Sequence, residues 1–350
     1  MIAAEYTAHV LGLDYPTLWF LVLGAVLSGY AILDGFDLGA GALHLFLRKE
    51  RSRRIALNAV GPVWDGNEVW LVIAGGVLFA GFPGYYATLL SALYIPVFLL
   101  LAALIFRAVA IEFRSKESMN WWRRGWDTVY WAASCIIALA IGAVMGAVLE
   151  GMPVEEGGDV FGGSARILRP FPLLVAFTTL SLFLVHGALY LIMKTEDRIQ
   201  ERFVRLLAPS QIFLLLMLIA TSLYVFLELP RLTDRITDSP ALGLIPILAI
   251  ASLAGSWISA RKKRYAMAFA LSCALVSMLF VLVAVELYPV LLPSTLDPQY
   301  DLTIYNTASS QRSLGYMLTC AAIGIPLVGM YTFLVYRTFW GKVFLDDQSY

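Results

Sequence analysis

The chain has 350 residues, of which 60% are hydrophobic and 14% charged, with a mean hydropathy of +0.76. Soluble domains carry about 25% charged residues, so this composition excludes an ordinary globular protein and points to an integral membrane protein. Formal net charge is zero, which removes the overall bias that a nucleic-acid or acidic partner would require and leaves only the distribution of charge to inform.

About 20 apolar residues cross a bilayer. On that measure nine transmembrane helices are predicted, over 17–47, 55–81, 84–113, 121–149, 170–194, 200–228, 240–260, 265–290 and 311–338, giving an all-α polytopic membrane protein. Residues 1–17 include Glu5 and Asp14 and lack a basic n-region, so the first apolar segment is expected to stay as a span. The loops after helices one, three, five and seven, with the C-terminus, hold nineteen Lys and Arg, from Arg48 and Lys49 to Arg337 and Lys342. The opposite side holds five: Arg166, Arg169, Arg231, Arg235 and Arg312. Short basic loops stay cytoplasmic, which predicts the N-terminus outside and the C-terminus inside. The outer loops 150–169 and 289–311 are long and rich in Gly, Pro, Asp and Glu; they are expected to be solvated, contact with a neighbouring subunit being the alternative.

A weak internal repeat relates Gly41-Ala-Leu-His-Leu to Gly187-Ala-Leu-Tyr-Leu at an offset of 146. It suggests two like-oriented four-helix bundles, residues 1–150 and 151–290, followed by an outer loop and ninth helix in 291–350. At that offset Asp34 and Asp37 fall on Leu180 and Phe183, and one residue later in the register Asp65 falls on Ile212, so the second half does not repeat the acids.

Those acids are the chemistry of the sequence. Asp34 and Asp37 in helix one, and Asp65 and Glu68 in helix two, pair at i,i+3 and so share a face within each helix. Asp37 and Asp65 each lie about 16 Å from the basic loop at 1.5 Å per residue, and Arg107 of helix three about 10 Å from Arg114. An ionised carboxylate in hydrocarbon costs at least about 2.5–3.5 kcal/mol, so the group needs partners, water or shared protons. Two readings compete. In one, Arg107, Asn67 and the Trp64 indole merely neutralise and satisfy the acids; in the other, four carboxylates against one arginine conduct protons, and the excess of acids favours this second reading. Gly35, Gly39, Gly41 and Gly66 leave room beside the acids for close helix approach or for a water file. Gly61-Pro62 and Pro96 are expected to kink helices two and three.

Cys135, Cys273 and Cys320 read as small core residues, without metal-ligand spacing. His9 and His44 read as surface or interfacial residues and His186 as a mid-helix residue bonded to a neighbouring helix; no bis-histidine spacing and no Cys-x-x-Cys-His is present, so no haem or metal ligand is expected in this chain. Trp121, Trp122 and Trp126 read as interfacial belt and core.

Taken together, Asp34-Gly-Phe-Asp37-Leu-Gly, Trp64-Asp65-Gly-Asn67-Glu68-Val-Trp70, Phe106-Arg107, Phe113-Arg-Ser-Lys116, Trp121 to Asp127, His186-Gly-Ala with Lys194-Thr195, and Leu302-Thr-Ile-Tyr-Asn306-Thr-Ala-Ser-Ser310 resemble subunit II of the cytochrome bd-type (including cyanide-insensitive) quinol oxidases, in order along almost the whole chain. The resemblance implies a haem-free subunit in the bacterial inner membrane, paired with a haem-bearing subunit I. That partner would carry two b-type haems and a d-type or third b-type haem, and the complex would oxidise quinol, reduce oxygen to water and generate a proton-motive force. The resemblance leaves room for a structural quinone and small single-helix accessory subunits. It implies that Asp34, Asp37 and Asp65 belong to a cytoplasmic proton-uptake route, with Arg107 beside them; Glu68 stands where relatives carry Gln. A proton-coupled secondary transporter using the same acids, and a scaffold in which they only orient Arg107, are the readings from other classes.

Overall fold

The computed structural model describes residues 9–344 apart from residues 11 and 240. Glu5 and the side chain of His9 lie outside the described residues.

Helix α1 (Tyr15–Leu43) is started by Asp14, whose carboxylate accepts from the Thr17 N–H at 2.8 Å, with Pro16 in the first turn where its missing N–H is not needed. The chain returns through α2 (Glu50–Val60) and α3 (Trp64–Gly81), whose axes differ by 48°. The expected kink at Gly61-Pro62 is thus a full break. Helix three is also two pieces, α4 (Pro83–Ala92) and α5 (Tyr94–Phe113). Pro96 has no N–H to give the Ala92 carbonyl, which accepts from the Ser164 hydroxyl at 3.0 Å instead. Then follow α6 (Asn120–Glu150), the short α7 (Gly163–Arg166), α8 (Pro170–Lys194), α9 (Asp197–Glu228), the short α10 (Asp234–Asp238), α11 (Leu244–Arg261), α12 (Tyr265–Leu287) and α13 (Gln311–Thr338). Among the described residues eight helices are long and apolar enough to cross a membrane, and the bent pair α2–α3 is a ninth if it is one span.

Helices α1 and α8 form the middle of the molecule. α1 packs on α3, α6, α8 and α12, and α8 on α1, α6, α9 and α12. The two cross at Gly39 and Gly187: a Cβ on Gly39 would lie 1.8 Å from the Phe183 carbonyl oxygen, and one on Gly187 2.5 Å from the Ala40 nitrogen. Only glycine allows backbones this close, and the dispersion gained there replaces the hydrophobic drive that lipid does not supply. α13 leans on α1 and α3 and buries only Leu314.

The long connecting segments 150–169 and 289–311 form a cap. The antiparallel strands β1 (His9–Val10) and β2 (Leu13–Asp14) sit at the N-terminus, and β3 (Val290–Leu292) pairs antiparallel with β4 (Leu302–Thr303). Met152, Val154, Leu291, Leu292 and Ile304 are buried beneath it, so the 150–169 and 289–311 segments are packed rather than simply solvated. Ser309 ties the cap to the end of α3 by its N–H on Gly81 O (3.0 Å) and its hydroxyl on Ala80 O (2.6 Å). The three cysteines are free, and Cys320 is exposed on α13 rather than in the core.

Candidate functional site

Along α1 and into the residue that caps it, positions 30, 34, 37, 41 and 44 recur at alternating steps of four and three, which stacks Tyr30, Asp34, Asp37, Gly41 and His44 along one face. The acids of this stripe meet the first turns of α3 and the middle of α5. Arg107 Nη2 lies 2.8 Å from Asp34 Oδ1 as an ion pair and donates to Glu68 Oε2 at 2.7 Å. Asn67 Nδ2 donates to Asp37 Oδ2 at 2.7 Å and to Leu33 O at 3.2 Å, and its carbonyl accepts from the Tyr336 hydroxyl of α13 at 2.9 Å. Asp34, Asp37, Asn67 and Arg107 are buried, while Glu68 is 22% exposed. Asp37 Oδ1 and Arg107 Nε and Nη1 are buried without a hydrogen-bond partner among the described residues, and the Tyr30 hydroxyl lies beside the Asp34 carboxylate. Three carboxylates around one guanidinium, with this many unpaired polar atoms, is a concentration that a purely structural pair does not need.

Two predicted members stand apart. Asp65 is exposed on α3, because the break at residues 61–63 turns that helix and a straight rise from the basic loop no longer holds. Its place in the first turn of α3 lets the helix dipole favour its negative charge, and it lies within Coulombic reach of Glu68. Trp64 is half-buried against the cluster of Leu57, Ala110, Ile111 and Tyr130, and hydrogen-bonds to no acid among the described residues. The glycines serve close packing rather than a water file at three of four positions: Gly35 faces the Phe183 ring, Gly39 the Phe183 backbone, and Gly41 Ser134 and Tyr130. Gly66 meets only Tyr331, at 3.5 Å.

The reading of His44 as a surface residue is overturned: it is 1% exposed. Its Nε2 lies 2.6 Å from Asp127 Oδ1, and Asp127 also accepts from Arg114 Nε (2.6 Å) and Arg53 Nη1 (2.8 Å). Arg114 further donates to Glu50 at 2.9 Å. Burial pulls the Arg114 guanidinium down, but its bonds to Asp127 and Glu50 outweigh this and hold it above its ordinary range. The signals in the sequence were the 37–44 spacing, which continues the α1 stripe, and an Asp about two turns into helix four. Tyr336 was hidden differently: nothing local marks it, since it reaches Asn67 from 269 residues away.

His186 is buried between α1 and α12, its Nε2 donating to Ile32 O at 2.9 Å and its Nδ1 2.7 Å from the Ser272 hydroxyl. The two described histidine side chains thus sit on different helices, and His186 has both ring nitrogens engaged. Among the described residues no group of three or more His, Cys, Asp or Glu could hold a metal ion.

Residues 15–339 match the family described as cytochrome bd terminal oxidase subunit II. The chain belongs to that family. It is 31% identical to cytochrome bd-I ubiquinol oxidase subunit 2 of Escherichia coli strain K12 over 96% of its own length and 97% of that protein's. To cytochrome bd ubiquinol oxidase subunit 2 of Bacillus subtilis strain 168 it is 30% identical over 89% and 91% of the two lengths. Its fold superimposes on a chain of the bd oxidase from Geobacillus thermodenitrificans with a TM-score of 0.77 at 19% identity, covering 93% of this chain and 98% of that one. As a bd oxidase subunit II, the chain is a component of a terminal quinol oxidase, an oxidoreductase complex that implies a partner subunit I.

Proposed function

We propose that this bd oxidase subunit II is the haem-free member of its complex and draws protons from the cytoplasm, through Asp37, Asp34 and Glu68 and then Asp65, toward the oxygen-reducing haem of subunit I. It sits in the bacterial inner membrane as nine spans, with the N-terminus outside and the C-terminus inside, a reading carried by the alternation of basic loops. Residues 1–150 and 151–290 are two four-helix bundles, and 291–350 adds the outer segment and α13. The two b-type haems and the d-type or third b-type haem belong to the partner; no residue of this chain is assigned to haem, to the quinol or to a structural quinone.

The observation that carries the proposal is the buried set Asp34, Asp37 and Glu68 around Arg107, with one member, Glu68, reaching the surface. Three carboxylates beside one guanidinium leave acids that the single cation does not neutralise, groups able to take and give a proton. Asn67, itself held by the Tyr336 hydroxyl, binds one Asp37 oxygen, and the other has no hydrogen-bond partner among the described residues. Where the set opens, Asp65 and Glu68 face outward on α3 beside the exposed Val69 and Val72, and α5 presents Ile105 and Phe106. A carboxylate facing lipid at that depth is costly, whereas a partner subunit seated on the α3–α5 face would cover it and receive the proton. Subunit II also stabilises its partner through this face. No observation favours the transporter reading.

The test is Asp37→Asn, and separately Asp34→Asn, in the whole complex, following quinol-driven oxygen consumption alongside the haem spectrum. Turnover is expected to fall by about tenfold or more with normal haem content. Wild-type turnover in both variants, with normal haem, sinks the proton role.

A further inference from the structure

The Asp127 cluster has a feature its structural role does not explain. Asp127 is already satisfied by Arg114 and Arg53, yet it also holds His44 at 2.6 Å. Since the carboxylate only accepts, Nε2 carries the ring proton there and Nδ1 of the neutral ring is a free lone pair. That Nδ1 is buried and without a partner. One carboxylate fixing one nitrogen of an imidazole while the other stays open is the arrangement by which proteins build a base that is charged and discharged without moving.

Seven residues up the same face of α1, about 10 Å away, Asp37 Oδ1 is likewise buried without a partner. Between the two stands Gly41. Its missing side chain admits α6: a Cβ there would lie 2.0 Å from Ser134 Oγ and 3.1 Å from the hydroxyl-bearing carbon of Tyr130. The Tyr130 ring meets His44 edge to face, with centroids 5.2 Å apart, and its phenol is within Coulombic reach of Asp37, Asp34 and Arg107. The Tyr130 hydroxyl makes no hydrogen bond among the described residues, and Ser134 donates to Tyr130 O at 2.8 Å. An open base, a hydroxyl and an open carboxylate oxygen therefore follow one another along the α1–α6 seam.

We infer that His44, held by Asp127, is a buried relay base at the cytoplasmic end of the route, and that the Tyr130 hydroxyl passes its proton to Asp37. The inference rests on the proposed proton role of Asp37. A proton arriving from the cytoplasmic side binds the buried His44 Nδ1, making an imidazolium whose second N–H stays on Asp127. The Tyr130 oxygen takes that proton as it releases its own to Asp37 Oδ1, so the histidine returns to neutral and the phenol is unchanged. Burial of the ring opposes the imidazolium, as do the charges of Arg114 and Arg53, and Asp127 is the group that favours it. His44 and Tyr130 are relay residues upstream of the acids, remote from the oxygen chemistry.

The experiment uses the intact complex in liposomes, with Tyr130→Phe, His44→Phe and the double variant measured beside Asp37→Asn. Tyr130→Phe keeps the ring and its contact with His44 and removes only a hydroxyl with no hydrogen bond among the described residues, so it discriminates relay from packing. Proton uptake from the cytoplasmic side, read with a pH-indicating dye during oxygen reduction, is expected to slow about tenfold in each single variant and no further in the double, with yield and haem spectrum unchanged. His44→Phe should also lose the His-dependent limb of the pH profile. Wild-type uptake in Tyr130→Phe and His44→Phe with slowed uptake in Asp37→Asn overturns the relay and leaves the acids' role standing. Wild-type uptake in all of them, Asp37→Asn included, overturns both.

Discussion

Helices α1 and α8 align in sequence at an offset of 146 and cross through their own glycines, yet they carry opposite chemistry. Where α1 has Tyr30, Asp34, Asp37, Gly41 and His44 in one stripe, α8 has Ala176, Leu180, Phe183, Gly187 and Tyr190. The Phe183 ring fills the hollow beside Gly35, and Tyr190 stacks on Phe36 with centroids 3.9 Å apart and donates its hydroxyl to Ala59 O. The second half thus supplies the dry wall against which the first half's polar stripe is held. A low-dielectric wall on one side strengthens every charge interaction on the other, and makes an unpaired charge correspondingly expensive.

Removing the cation from the first half should therefore have the largest effect. Arg107→Ala leaves Asp34 buried without a counter-charge, and a loss of about 3–5 kcal/mol is expected, read as a fall in the thermal midpoint and haem content of the purified complex. Adding Asp34→Asn to it should recover much of that loss; no recovery would mean that Arg107 acts by packing alone. The crossing itself comes next. Gly39→Ala drives a methyl into the Phe183 carbonyl and Gly187→Ala one into α1, each expected to cost about 1–3 kcal/mol toward the upper end of that range, whereas Gly75→Ala, with open space around it, should be silent in the same melt. Asn67→Leu keeps the volume but strips Asp37 Oδ2 and Tyr336 of partners, for about 1–3 kcal/mol and a slower turnover. The smallest stability effect belongs to Asp65→Asn, within about 0.5 kcal/mol because the residue is exposed, while its turnover should fall if the α3 face delivers protons to the partner.

How much of this was readable in advance follows from the physics of each signal. The spans were legible because 20-residue apolar runs and basic loops are local. So were Asp34, Asp37, Glu68 and Arg107, since i,i+3 pairs in hydrocarbon demand a counter-charge from a near neighbour. Asp65 came out on the surface because proline breaks a helix by an amount that composition does not give. His44 was misread because a helix end beside Arg48 looks interfacial, and only the fold brings Asp127 of α6 onto it. The burial of the outer segments depends on β3–β4 pairing and on Met152 and Val154 inserting beneath it, contacts too distant in sequence to leave a periodic mark.

Proton uptake during a single round of oxygen reduction, compared between Asp37→Asn and the counterpart Phe183→Leu in the intact complex, puts the two helices side by side. Uptake slowed about tenfold or more by Asp37→Asn and left at the wild-type rate by Phe183→Leu is the expected result. Wild-type uptake in Asp37→Asn with normal haem, or equal slowing in both variants, would contradict the assignment of proton transfer to the α1 stripe.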